Sequence, residues 1–286
     1  MKRHHKHSLL FILGVLIVGG ALSLFIALRP DSAGAPIQSG ETRKQPNKTP
    51  PPEPTPITLS LPGTKPITAV IEDYTQPSST WVVVSKDHPL GNQSYRPKDL
   101  AMPPTSVATN TQKSTDEQSL RQTIFEPTVE LFDAAKKSGF DLFVASGFRS
   151  YELQKTYFDN YARTSGEAAA NMYSAHPGQS EHQTGIAFDI SLVSRECYLE
   201  TCFGETTAGK WLAEHAYEYG FILRYPADKT EITKYQYEPW HFRYVGIDLA
   251  RALHESKLTL DEAYPYMQKA LEELKKQKLV SYVTQR

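Results

Sequence analysis

The residues best suited to chemistry lie in two short stretches. The first reads Ser180-Glu181-His182-Gln183-Thr184-Gly185-Ile186-Ala187-Phe188-Asp189; the second, about fifty residues on, reads Glu238-Pro239-Trp240-His241. His182, Asp189 and His241 make a set of two imidazoles and one carboxylate. Such a set holds a catalytic zinc ion and leaves one coordination position open to water. Glu238, beside the set but not needed in it, has the chemistry of a general base. His182 and Asp189 are seven residues apart with Gly185 between them, so a tight turn at the glycine folds both side chains toward one ion. Asp189 falls in a short strand-like run, which fixes its direction, and Pro239 stiffens the link from Glu238 to His241. Taken singly, a histidine is more often a packing residue, an aspartate a turn carboxylate and a glutamate a salt-bridge partner. The two stretches together are what point to a metal centre. His88, His176, His215 and His254 are given no metal role, and the other three histidines lie in a basic N-terminal stub.

Several elements must hold these residues in place. Trp81-Val82-Val83-Val84 reads as a buried strand ended by Lys86-Asp87-His88-Pro89. Leu120, Ile124, Leu131, Phe132 and Ala135 give residues 117–138 a helical period, with Pro127 kinking or dividing the helix and Gly139 stopping it. Leu142 to Ala145 reads as a strand. A helix capped by Ser150 follows, with Leu153, Tyr157 and Tyr161 on one stripe. Ile186 to Ile190 and Phe242 to Val245 read as further strands. Residues 208–219 read as a helix around Trp211, Leu212 and His215, closed by Gly220. Thr259-Leu260-Asp261-Glu262 is a capping-box pattern that opens a last helix. Helices and short strands mix without βαβ alternation, which makes the class α+β.

The compartment is read from the N-terminus. Residues 1–7 form a basic stub, and residues 8–28 are free of charge over a length matching the roughly 20 residues of a membrane-crossing helix. The stub then stays in the cytoplasm and the rest of the chain lies outside, on a single-pass anchor at the cell membrane. The competing reading is a cleaved signal peptide, for which Ala33-Gly34-Ala35 resembles a cleavage site, and the domain would then be secreted. Residues 29–75, with six prolines from Pro46 to Pro56, read as a disordered stalk. The folded domain is assigned to 76–270, with the helix end and tail at 271–286. A formal net charge of -1 gives no bulk attraction to nucleic acid, which excludes it as an expected partner. Cys197 and Cys202 form either a local disulfide or two free thiols.

The Ser-x-His-x6-Asp and Glu-x2-His patterns resemble those of the zinc D-alanyl-D-alanine carboxypeptidases of the VanY type, grouped with D-Ala-D-Ala dipeptidases and the Hedgehog-like fold. The likeness continues in order through Ser85-Lys86-Asp87-His88-Pro89-Leu90, Ser146-Gly147-Phe148-Arg149-Ser150, Gly220-Phe221-Ile222-Leu223-Arg224-Tyr225-Pro226 and Glu238-Pro239-Trp240-His241-Phe242-Arg243-Tyr244. The resemblance implies a small antiparallel sheet flanked by helices, Hedgehog/DD-peptidase-like. It implies Zn2+ on His182, Asp189 and His241, with Glu238 as catalytic base. Arg149 would hold substrate and stabilise charge near the scissile carbonyl, and Ser180 and Gln154 would make substrate hydrogen bonds. The expected substrates are peptidoglycan stem peptides losing a terminal D-alanine. Two other readings stand beside it: an L,D-carboxypeptidase acting on tetrapeptide stems, and a non-catalytic wall-binding module.

Overall fold

A computed structural model describes residues 57–69 and 74–284; the expected stub, the membrane span and most of the stalk lie outside them. In chain order the strands and helices are β1 (Ile57–Leu59), β2 (Ile67–Ala69), β3 (Leu100–Ala101), α1 (Thr115–Gln118), β4 (Leu120–Arg121), α2 (Phe125–Lys137), β5 (Leu142–Ser146), α3 (Tyr151–Ser165), α4 (Glu167–Tyr173), β6 (Ala187–Leu192), α5 (Thr207–His215), β7 (Phe221–Leu223), α6 (Thr230–Thr233), β8 (His241–Tyr244), α7 (Ile247–Ser256) and α8 (Leu260–Thr284). Among the described residues no helix is long and apolar enough to cross a membrane.

The α+β class holds, and its centre is a four-stranded antiparallel sheet of order β5-β6-β8-β7. Residue type alternates along its strands because successive side chains point to opposite faces. Phe188, Ile190 and Phe242 lie in a core with Leu131 and Phe132 of α2 and Leu212 of α5. Asp189, Ser191, His241 and Arg243 fall on the other face. This alternation lets one short sheet be a hydrophobic wall on one side and a polar platform on the other.

Two expected elements differ. Trp81 to Val84 is buried as expected but forms no strand. Trp81 and Val83 enter one core while Val82 and Val84 enter the other, and the Thr80 and Val82 carbonyls accept from the Arg243 guanidinium instead of from a neighbouring strand. The segment is stretched between two cores, so its apolar run mimics a sheet interior. The helix expected over 117–138 is interrupted at Ser119, where β4 pairs with β3, and resumes at Phe125. Pro127 is not the break: it lies in the first turn of α2, where its missing N–H costs nothing.

The folded region also begins before the expected boundary at 76. β1 and β2 pair antiparallel, and Leu59, Leu61 and Ile67 pack with Leu249 and Leu253 of α7 and Met267 and Leu271 of α8. The period-two apolar residues there were hidden by the prolines around them. α8 opens on the anticipated capping box, with the Thr259 hydroxyl accepting from Glu262 N–H and the Glu262 carboxylate accepting from Thr259 N–H. Cys197 and Cys202 are joined in a disulfide.

Candidate metal centre

The sheet register builds the centre. Ser146 of β5 lies opposite Asp189 of β6, and Asp189 lies opposite His241 of β8. Residues paired across antiparallel strands project to the same side, so the three form a row on the polar face. His182 arrives from a 3-10 turn over Glu181–Thr184, which ends on Gly185 in the left-handed region at φ 69°. A Cβ at Gly185 would also sit 2.9 Å from a Leu100 methyl. The turn therefore needs glycine on two counts, and it swings His182 back over the row.

The ligand set of the sequence analysis meets here. One donor atom from each of His182, Asp189 and His241 lies within 4.8 Å of the others, and all three residues are buried. Asp189 Oδ1 is 3.5 Å from His182 Nε2 and 3.3 Å from His241 Nδ1. The far nitrogen of each ring is occupied: His182 Nδ1 donates to the Gly147 carbonyl at 2.7 Å, and His241 Nε2 faces Glu181 Oε2 at 3.4 Å. Both rings thus turn their remaining nitrogen to Asp189, the outer-contact pattern of metal-bound histidine. Asp189 Oδ1 is buried without a hydrogen-bond partner. A buried carboxylate oxygen left so between two imidazole nitrogens is costly without a cation. The donor set fits a divalent metal of the zinc class, for which two nitrogens and one carboxylate oxygen are suitable ligands.

Electrostatics support that fit. Burial alone would raise the Asp189 pKa, but the two imidazoles hold it far below the usual carboxylate range. Burial, helped by the Arg149 charge, lowers that of His182. Burial also works against a charged His241, yet the neighbouring Asp189 and Glu181 carboxylates push its pKa up to about 9. Glu238 Oε2 stands 3.9 Å from His241 Nδ1. Burial, with the Asp189 charge adding to it, pushes its carboxyl up to about 7, against the opposing pull of His241, Arg149 and Lys86. A carboxyl so poised suits proton transfer near neutral pH.

The centre opens into a cleft of about 350 Å³ lined by Arg149, Ser180, Glu238, Trp240 and several tyrosines. Arg149 follows β5 just after Gly147 passes tightly against the end of α1: a Cβ there would lie 2.5 Å from the Ser119 carbonyl. Its guanidinium donates to Gln154 Oε1 at 2.8 Å and Ser146 Oγ at 3.2 Å, while its Nε has no partner. Ser180 lines the cleft. Gln154 does not: it is 1% exposed, and its amide nitrogen donates to Ser174 Oγ and the Ala175 carbonyl. Its place is behind Arg149, holding the guanidinium, and not in contact with the cleft as the sequence had implied. The stripe expected on α3 is corrected in the same way. Gln154 and Phe158 are its buried residues, and Tyr157 and Tyr161 face the cleft.

Sequence reasoning missed the support behind the metal row. Glu181 Oε1 accepts from Arg224 Nε at 2.8 Å and Arg243 Nη1 at 2.7 Å, with all three side chains at 0% exposure. Arg224 also reaches Asp261 of α8. The signal was present, since Glu181 adjoins His182, and both arginines lie in the motifs quoted above.

The family model described as VanY, D-alanyl-D-alanine carboxypeptidase, matches residues 117–247. The chain is 42% identical over 200 residues to the putative carboxypeptidase YodJ of Bacillus subtilis (strain 168), covering 70% of this chain and 72% of that one. It resembles the solved structure of the LdcB LD-carboxypeptidase with 43% identity and a TM-score of 0.62, covering 66% of this chain and 87% of that one. A variant of the vancomycin-resistance D,D-pentapeptidase VanY in complex with Zn(II) gives 32% identity and a TM-score of 0.53, covering 66% and 99%. With these likenesses added to a buried cluster of two histidines and one aspartate, the chain belongs to the VanY family of D-alanyl-D-alanine carboxypeptidases.

Proposed function

We propose that this carboxypeptidase uses zinc to hydrolyse the terminal D-Ala-D-Ala bond of peptidoglycan stem peptides and releases D-alanine. The observation that carries the reading is the partnerless Asp189 Oδ1 between His182 Nε2 and His241 Nδ1, with Glu238 beside them. His182, Asp189 and His241 would hold the ion, which when bound supplies Lewis-acid polarisation of the scissile carbonyl and of the attacking water. Glu238 takes the proton of that water and delivers it to the departing D-alanine amine. Arg149, which lines the cleft, donates to the oxygen on which negative charge grows. Ser180 offers a hydroxyl to the peptide, and Gln154 keeps Arg149 aimed.

The likeness to LdcB favours a second reading, an L,D-carboxypeptidase acting on a tetrapeptide stem. The proposed location is outside the cell membrane, on a stalk that follows an anchor at 8–28; the charge-free run there supports it. A stalked domain would meet wall-linked chains. The purified domain should carry one zinc by metal analysis and release D-alanine from a defined pentapeptide stem, read by mass spectrometry. Release from the tetrapeptide alone would replace the D,D reading with the L,D one.

A further inference from the structure

Between β6 and the 3-10 turn at Thr201–Glu205 the chain makes a strained detour. Arg195, Cys197 and Leu199 have positive φ of 60°, 50° and 52°. Each such residue is strained when it is not glycine. Three kinds of brace hold the detour. The Cys197–Cys202 disulfide closes it. The Tyr198 ring stacks on Phe143 of β5 at 6.1 Å and 9°, with the Arg195 guanidinium near both rings. Asn110 donates to the Tyr198 hydroxyl and the Ala145 carbonyl and accepts from Arg195. Asn110 thus ties the detour to the strand that leads to Arg149.

A loop that only connected two elements would need none of this. What the braces present is Leu199, among the described residues the one large aliphatic residue lining the cleft, in the midst of charged, hydroxyl, amide and aromatic groups. Backbone strain that the surroundings over-determine concentrates at ligand-contacting positions. We infer that Leu199 is a specificity-determining residue, held by the latched detour as an apolar wall against a methyl-bearing residue of the peptide. The inference rests on the carboxypeptidase reading above and names part of its substrate recognition.

The test is steady-state kinetics of the intact zinc-loaded protein on whichever D-alanine-terminated stem peptide it cleaves. Leu199→Ala should raise KM about three- to tenfold, the scale of a lost apolar contact, with kcat within about twofold. Leu199→Met should restore the KM. Cys197→Ser/Cys202→Ser, which removes the latch and leaves Leu199 in place, should raise KM in the same direction. Zinc content should be unchanged in all three variants, a split that general loss of structure would not produce. An unaltered KM in Leu199→Ala or in the double cysteine variant overturns the inference while leaving the proposed activity standing. A wild-type protein that cleaves no alanine-terminated stem peptide overturns both.

Discussion

The imidazole of His241 stands between two clusters of buried charge that are alike in composition and unlike in completeness. Behind it, Glu181, Arg224 and Arg243 are fully buried and every one of their nitrogens and oxygens has a partner, as protein carboxylates, carbonyls and guanidinium groups interlock. In front, Asp189, Glu238 and Arg149 are also mostly buried, yet Asp189 Oδ1 and Arg149 Nε have none. Burial and charge are common to both, so neither distinguishes structure from function. Unused hydrogen-bonding capacity does. The rear cluster spends its capacity on the fold, and the front cluster leaves it open, as the proposed metal and substrate roles require.

The largest expected effect falls on the front cluster. Glu238→Ala should lower kcat by about 10²- to 10⁴-fold, the usual span for a lost acid–base group, while zinc content stays at one per chain and thermal stability is nearly unchanged. Retained turnover would take Glu238 out of the mechanism. The mirror experiment is Glu181→Ala, which strands two buried guanidinium groups. It should cost about 3–5 kcal/mol in denaturant unfolding, because breaking a buried ion pair leaves uncompensated charge. A small cost would mean that the rear cluster does not anchor the fold behind His241.

Zinc addition probes the front cluster as an incomplete structure. At about a thousandfold excess over its Kd, zinc should stabilise the metal-free protein by about 4 kcal/mol, and Asp189→Asn should remove most of that gain. The pH dependence of the metal-free protein separates the clusters further. The Glu181 carboxyl is held below its ordinary 4.5 by Arg224 and Arg243, which outweigh burial. Its contribution is therefore complete above about 4.5 and is lost as pH falls toward the folded value. Glu238 is raised to about 7, so the folded state binds the extra proton and stability is lost as pH rises from about 4.5 to 7. Relative to Glu238→Gln, the metal-free wild type should become less stable across that interval, measured by urea unfolding at several pH values. A flat difference would contradict the raised carboxyl.

The two clusters also differ in how far the sequence disclosed them. His182, Asp189, His241 and Glu238 were legible because turn, strand and proline place them within short stretches whose spacing is itself the geometric constraint. The capping box at Thr259 and the helix stops at Gly139 and Gly220 were legible for the same reason. Arg243 stood in a recognisable motif, but its role did not show, since its partners at Thr80 and Val82 are more than 160 residues away in sequence. That one interaction also explains the missing strand at Trp81 to Val84: carbonyls that the apolar pattern assigned to a sheet are taken by a side chain no local window contains. Gln154 was placed on the correct helix without its bond to Arg149, because an amide one turn from an arginine looks the same in sequence whether it meets substrate or the arginine. The β1–β2 hairpin was concealed by composition, its apolar alternation set among prolines that usually mark a stalk.

The smallest effect tests how redundant the rear cluster is. Among the described residues Asp261 forms its ion pair with Arg224 alone, and its side chain is 14% exposed, whereas Glu181 binds both arginines at zero exposure. Asp261→Asn keeps the shape and one acceptor oxygen while removing the charge, and Arg224 retains Glu181. The cost should be about 1–2 kcal/mol, the range for one charge-assisted hydrogen bond at a partly wet site. Because Glu181 remains paired, His241 keeps its neighbour, and kcat and zinc content should match the wild type. If Asp261→Asn instead lowers zinc affinity, the front cluster is not insulated from α8, and the division between a cluster spent on folding and one kept for chemistry fails at the imidazole they share.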